Sequence, residues 1–242
     1  MPTPENLRYC PMCSQSFNAE FAPSHYGITH RQDASCLNPD CRSLERHRLL
    51  WLFLRENVIT SDKNLSVLEI GPTMGIKNAF RRFPNIRYIG VDLTSERADV
   101  RADINNLPFA DNSFDLVICY HVLEHVPDPL PAIRELSRVI RFNGMAFFQV
   151  PLDINFATTT CVHSSHSHER EILFGQEDHL RIFGRDFPNF LLEGGFYPQC
   201  IDYASRFSEE ERVLMGLKLS YLIGPKDSPY ITSESFYLAT KT

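Results

Sequence analysis

Between Leu65 and Val150 the chain alternates apolar runs of strand length with stretches of helical period, and few folds accept that alternation. Leu65–Ile70 (LSVLEI), Ile86–Leu93 (IRYIGVDL), Phe114–Tyr120 (FDLVICY) and Met145–Val150 (MAFFQV) read as buried strands, and Ala98–Ile104 as a weaker one. Gly75–Phe83, stopped by Pro84, reads as a helix. So does Pro129–Arg141, closed by Gly144, with Leu130, Ile133, Leu136 and Ile140 on one face. Strand and helix in series form parallel βαβ units. The expected fold is therefore α/β: a Rossmann-like, mostly parallel sheet with helices on both faces. Residues 152–186 break the alternation. After them come a helix at Asp186–Glu193, a turn at Gly194-Gly195, a strand at Tyr197–Tyr203, a helix at Glu209–Leu217 and a last strand at Glu234–Thr240.

Residues 1–42 are different in kind, rich in Cys, Pro and Asn and poor in aliphatics. Cys10-x2-Cys13 and Cys36-x4-Cys41 form two close pairs separated by 22 residues. In a reducing compartment such pairs point to metal before disulfide, and four thiolates leave a zinc ion no open position. The expectation is a small module resembling a zinc ribbon or knuckle, in which structural Zn2+ supplies the stability that so little apolar surface cannot. Ser43 is read as the N-cap of a linking helix within 43–63, which joins the module to the main domain over 64–242. The remaining cysteines, Cys119, Cys161 and Cys200, are expected to be small, at least partly buried residues.

Charge excludes other classes. Thirty acidic against 24 basic residues give a net charge of −6, and residues 1–60 hold six of each sign. Neither the whole chain nor its first part has the basic surplus of a protein that tracks a phosphate backbone, so nucleic acid is an unlikely partner. The longest apolar run, Leu49–Leu54, is far too short for a membrane span, and the N-terminal MPTPENLRYC lacks a charged-then-apolar leader. The chain is expected to be soluble and cytoplasmic, as monomer or homodimer.

In open parallel sheets ligands bind beyond the carboxyl ends of the strands, at the point where the connectivity reverses. Four informative stretches fall at such ends: Glu69-Ile70-Gly71-Pro72-Thr73-Met74-Gly75, Asp92, Asp103-Ile104 before Leu107-Pro108-Phe109, and Tyr120-His121-Val122-Leu123-Glu124-His125. Asp92, 21 residues after Gly71, is placed to accept hydrogen bonds from a ribose diol. A dinucleotide would use the same geometry. Its pyrophosphate, however, needs a turn dense in glycine and free N–H groups, whereas Thr73 replaces a middle glycine and Pro72 removes an N–H. A ligand without phosphates suits this turn better.

LEIGPTMG, IGVDL and DINNLPFADNSFDLVICYHVLEHVPD, in that order from Leu65 to Pro151, resemble class I S-adenosylmethionine-dependent methyltransferases of the methyltransferase type 11 kind. The resemblance implies a seven-stranded sheet whose last strand is inserted antiparallel. It implies that Glu69, Gly71 and Gly75 flank the methionine moiety, that Asp92 binds the ribose hydroxyls, and that Asp103 lies by the adenine amine. Pro72, Leu93, Ile104, Tyr120 and His121 complete the expected cofactor site. The cysteine module and the linking helix, with DHLRIFGRDF further on, resemble a bacterial subfamily of small-molecule methyltransferases.

The acceptor is expected over the ends of the fourth and fifth strands, under an insertion or lid at 152–186. His179 is the candidate base there, Arg181 the candidate fork for an acidic group on the substrate, and His125 a further candidate base. His121-x-x-Glu124-His125 also matches a metalloprotease pattern, but Pro127 and Pro129 cut the helix that pattern needs. His163, His166 and His168 read as a solvated loop, with substrate or metal contact as alternatives. The expected reaction is methyl transfer to oxygen or nitrogen of a small polar metabolite, such as a sugar or natural-product intermediate. The alternatives are an RNA methyltransferase gripping its substrate with the zinc module, a non-catalytic S-adenosylmethionine-binding partner protein, and a nicotinamide oxidoreductase.

Overall fold

A computed structural model describes residues 7–26, 29–161, 167–217 and 235–241. His163 and His166 lie outside the described residues. Two hairpins open the chain, β1 (Arg8–Cys10) with β2 (Gln15–Phe17) and β3 (Ala22–Tyr26) with β4 (Thr29–Ser35), followed by α1 (Glu45–Asn57). The doubly wound part runs β5 (Leu65–Ile70), α2 (Met74–Phe80), β6 (Ile86–Asp92), β7 (Val100–Arg101), β8 (Phe114–Tyr120), α3 (Pro129–Val139) and β9 (Ile140–Gln149). After β10 (Thr160–Cys161), α4 (Ser167–Phe174) and β11 (Arg181–Ile182) come α5 (Phe187–Glu193), β12 (Phe196–Ile201), α6 (Glu209–Leu214) and β13 (Phe236–Lys241).

Seven strands form one sheet in the order β12-β13-β9-β8-β5-β6-β7. The pairs from β9 to β7 are parallel, and β13 is inserted antiparallel between β9 and β12. From β5 the chain winds outward to β6 and β7, then crosses back to β8 and β9. The reversal between β5 and β8 is the switch point where such sheets bind ligands.

Alternation along each strand feeds two cores. Leu68, Ile70, Val117 and Cys119 face α3 and α5, together with Ile133, Leu136, Phe187 and Leu191. Val67, Leu116 and Ile118 face α1 and α2, together with Leu50, Trp51, Leu54, Ile76 and Phe80. This second core also contains Cys10, Met12, Cys36 and Cys41, so the cysteine module has no interior of its own. Among the described residues no helix is long and apolar enough to cross a membrane.

Several local readings change. The N-cap of α1 is Leu44, whose N–H donates to His47 Nδ1 at 3.2 Å, while Ser43 turns its hydroxyl to the cysteines, 3.2 Å from Cys10 Sγ. Gly144 does not close a helix. α3 ends at Val139 and β9 begins at Ile140, with Gly144 inside it, because the register with β8 jumps from Phe114↔Ile140 to Leu116↔Met145 and residues 141–144 bulge out. Cys161 and Cys200 are exposed rather than buried.

α1 is not the module's only attachment. A Cβ on Gly75 would stand 2.8 Å from both the Cys41 carbonyl oxygen and Met12 Sδ. Asn78 Nδ2 donates to the Asp40 carbonyl at 2.8 Å, and Arg82 donates to that of Met12. The glycine expected beside a methionine moiety thus serves the approach of the module to α2. Gly75→Ala is expected to cost about 1–3 kcal/mol by overpacking this seam. Thermal denaturation checks it; an unchanged melting temperature would mean that Gly75 is not the point of contact.

Candidate active site and metal centre

The crevice lies at the carboxyl ends of β6, β5 and β8, which the register holds level: Ile70 pairs with Val91 on one side and Cys119 on the other. Gly71 leaves β5 at φ +67, a backbone that favours glycine, and its N–H donates to Val91 O at 2.9 Å. A Cβ there would meet Val122 Cγ2 at 3.2 Å. Thr73, which departs from the glycine pattern, is the N-cap of α2, its Oγ1 accepting from Ile76 N. The turn is therefore built on one glycine and one cap instead of a run of glycines.

Glu69 does not face the crevice as a free carboxylate. It is buried, accepts from Thr73 N at 3.0 Å and from Thr73 Oγ1 at 3.2 Å, and takes the Tyr88 hydroxyl on its other oxygen. Burial pushes its carboxyl up to about 8 against these bonds. Glu69 ties the turn to β6 and acts as a positioning residue. Asp92 accepts from Thr94 N at 2.9 Å and Ser95 N at 2.8 Å, both at Oδ1, and among the described residues Oδ2 has no partner. Asp103 is exposed and likewise spends one oxygen on its own turn, through Asn105 N and Nδ2. Leu93 is 66% exposed beside Asp92, an apolar side chain in water at the mouth of the crevice, whereas Ile104 is buried. Pro72 lies under the turn, its ring where a Cβ on Gly90 would fall.

On the far side of β5, Tyr120 is buried, and among the described residues its hydroxyl has no hydrogen-bond partner. His121 follows at φ +55, uncommon for a residue with a side chain, and its N–H donates to Gln149 O at 2.8 Å. Burial lowers its imidazole to about 4, so it is neutral near pH 7. Arg46, at the start of α1, adds to that lowering.

The acceptor candidates are rearranged. Arg181 is buried, and its guanidinium donates to the carbonyls of Leu123 at 2.7 Å, Val126, and Pro127 at 2.7 Å. It cannot also fork onto a substrate, because its donors clamp the loop after β8. His179 is buried, with Nδ1 3.1 Å from the Phe174 carbonyl, and burial lowers its imidazole below the ordinary value. Its ring stands edge-on to that of His125 with centroids 4.9 Å apart. Glu124, between His121 and His125 in sequence, has no exposed surface. Burial pushes its carboxyl up, but His121, His125 and His179 outweigh this and hold it below the usual carboxylate range. His168 is exposed on α4. A depression of about 390 Å3 lined by Asn64, Arg87, Asp115 and Arg141 lies at the opposite, amino-terminal strand ends, where Arg141 pairs with Asp115.

The four cysteines converge. Their sulfurs all lie within 4.8 Å of one another, with Cys10–Cys41 at 3.8 Å and Cys13–Cys36 at 3.7 Å. Four sulfurs at ~2.3 Å from one zinc sit ~3.8 Å apart in a tetrahedron. Hydrogen bonds from Cys36 and Cys41 hold the Cys10 thiol far below its ordinary value, while Cys13, Cys36 and Cys41 are pushed up. Four convergent sulfur donors are the set that a tetrahedral divalent ion such as zinc takes.

The strand order with its inserted antiparallel strand, and a crevice at the switch point ending in a carboxylate, make a Rossmann-like α/β architecture. Residues 68–148 match the family described as a methyltransferase domain. An uncharacterised methyltransferase of Mycolicibacterium gilvum is 34% identical over 110 residues, 40% of this chain and 42% of its own length. The chain spans less than half the length of the curated relatives it matches. Among solved structures the [4+2]-cyclase SpnF superposes with a TM-score of 0.55 at 18% identity, covering 90% of this chain and 87% of its own. So does a chain of the complex between the Haloferax volcanii Trm112 methyltransferase activator and the protein assigned as its methyltransferase, at TM-score 0.52, 18% identity, and 81% and 90% coverage. These likenesses establish the fold.

Proposed function

We propose that this chain is an S-adenosylmethionine-dependent methyltransferase acting on oxygen or nitrogen of a small polar metabolite, with a structural zinc held by Cys10, Cys13, Cys36 and Cys41. The observation that carries it is the level placement of the Gly71 turn and the open Oδ2 of Asp92 on adjacent strand ends at the switch point. When bound, the cofactor supplies a methyl group on a positively charged sulfur, activated for in-line displacement. The residues of this chain bind and aim. Asp92 Oδ2 takes a ribose hydroxyl, Leu93 covers the adenine, and Asp103 accepts from its amine. Gly71 lets the backbone close on the amino acid end, with Glu69 and Thr73 holding the turn. The acceptor enters from the β8 and β9 side, beside Glu124, His125 and His179. There the main requirement is to hold the nucleophile near attack distance. A net charge of −6 with no basic surplus supports a small acceptor over RNA.

Calorimetry with S-adenosylhomocysteine tests the reading. Binding is expected, and Asp92→Asn is expected to weaken it roughly 10–100-fold, the worth of a charge-assisted hydrogen bond at ~1.5–3 kcal/mol. NAD is expected to leave the melting temperature unmoved. No binding to folded protein, or full binding by the Asp92 variant, would refute the proposal.

A further inference from the structure

We propose that Glu124, His125 and His179 hold a divalent transition-metal ion of the zinc class, in a centre distinct from the four cysteines. One ligand atom from each residue lies within 4.8 Å of the other two. Ligands ~2.0–2.1 Å from a common ion sit ~3.4 Å apart in a tetrahedron, so the three need to close inward by about an ångström. Glu124 has no exposed surface, and among the described residues neither carboxylate oxygen has a partner in good hydrogen-bond geometry. His121 Nδ1, 3.3 Å from Oε1, is its one ion-pair neighbour among the described residues, and Oε2 has none. A buried carboxylate with a single neutral imidazole for company is stabilised by a cation that joins it.

The two imidazoles are set up as ligands. His125 Nδ1 lies 3.2 Å from the Asp178 carbonyl and 3.3 Å from its carboxylate, and His179 Nδ1 lies 3.1 Å from the Phe174 carbonyl. A proton on each Nδ1 satisfies those carbonyls and leaves both Nε2 lone pairs for an ion, the arrangement that orients metal-binding histidines. The scaffold is fixed as well. Leu180 N donates to the Glu124 carbonyl at 2.9 Å, and Arg181 clamps the carbonyls of Leu123, Val126 and Pro127 around it. Three protein ligands of mixed nitrogen and oxygen leave a coordination position open, as catalytic rather than structural zinc sites do. His125, 34% exposed, gives that position a path to solvent. Under the methyl-transfer reading, on which this last step rests, the open position would take the acceptor oxygen and weaken its O–H bond, the proton passing to solvent water along the exposed edge of His125 as the oxygen receives the methyl group and the sulfur keeps the electron pair of the broken S–C bond.

Metal content of the folded full chain, after loading with Zn2+ and removal of excess, tests the centre without recourse to activity. The parent is expected to hold two ions per chain, and His125→Ala and Glu124→Gln one each. Loaded with Co2+, both variants are expected to keep the intense thiolate bands of the cysteine centre while binding the second equivalent at least 100-fold more weakly. The half-exposed His125 position keeps the test interpretable should the Glu124 variant misfold. If the parent holds only the ion of the cysteines, or if His125→Ala retains as many ions as the parent, the proposal fails. Binding of S-adenosylhomocysteine is measured separately, so that failure is distinguishable from failure of the methyl-transfer reading.

Discussion

Cys41→Ser, or prolonged treatment with a zinc chelator, is expected to lower the melting temperature by roughly 10–20 °C. The four sulfurs sit in the same core as Leu50, Trp51, Ile76 and Phe80, so opening the cage uncovers one face of the sheet and does not merely release a tail. Zinc contributes ~10–16 kcal/mol to small four-ligand peptides, and in a chain of this size each kcal/mol moves the midpoint by ~2–4 °C. Losing only about 5 kcal/mol of that contribution accounts for the expected shift. Arg48 spreads the damage. Its buried guanidinium donates to Ala34 and Gly216 carbonyls as well as Ser43, and stacks over Phe21 at 4.4 Å, so it joins the module to the start of α1 and to the residues after α6. Differential scanning fluorimetry with and without chelator reads the effect. A melting temperature within 2–3 °C of the untreated protein, ~1 kcal/mol, would show that the cysteines carry no stabilising ion.

Arg181→Met is expected to destabilise the chain by about 3–5 kcal/mol. The methionine fills much of the volume, so the loss is chiefly electrostatic. The carbonyls of Leu123, Val126 and Pro127 would be left without their donor in a buried loop. Arg181→Lys should recover only part, since one ammonium cannot reproduce the fork that spans all three oxygens. Urea denaturation measures the total, and hydrogen exchange at residues 123–126 locates it. A loss under about 1 kcal/mol would mean the loop holds its shape by other contacts.

Phe114–Tyr120 was legible residue for residue, because a central strand buried on both faces leaves an uninterrupted apolar run between polar flanks. The predicted strand at Ala98–Ile104 contracts to Val100–Arg101, since an edge strand pairs only with β6 and little apolar pattern marks its ends. The four cysteines were legible from spacing alone. Gly75 was not, for a glycine in a strand-to-helix turn looks the same whichever neighbour needs the space. Arg181 reads as a ligand-binding cation because its true partners are carbonyls, which have no sequence signature, the furthest of them 58 residues away. Glu124 was passed over for the same reason: its histidine partners were judged along one helix that the prolines forbid, while His179 arrives from a different segment.

The change in composition at Ser43 looks like a seam between two inherited parts, yet residues from both sides of it share one interior. A chain trimmed to begin there would remove Cys10, Met12, Cys36 and Cys41 from the buried cluster that also holds Trp51 and Phe80. The cage and the sheet are therefore expected to unfold together, and exchanging either would require redesigning the flank of the short α2 helix that meets them both.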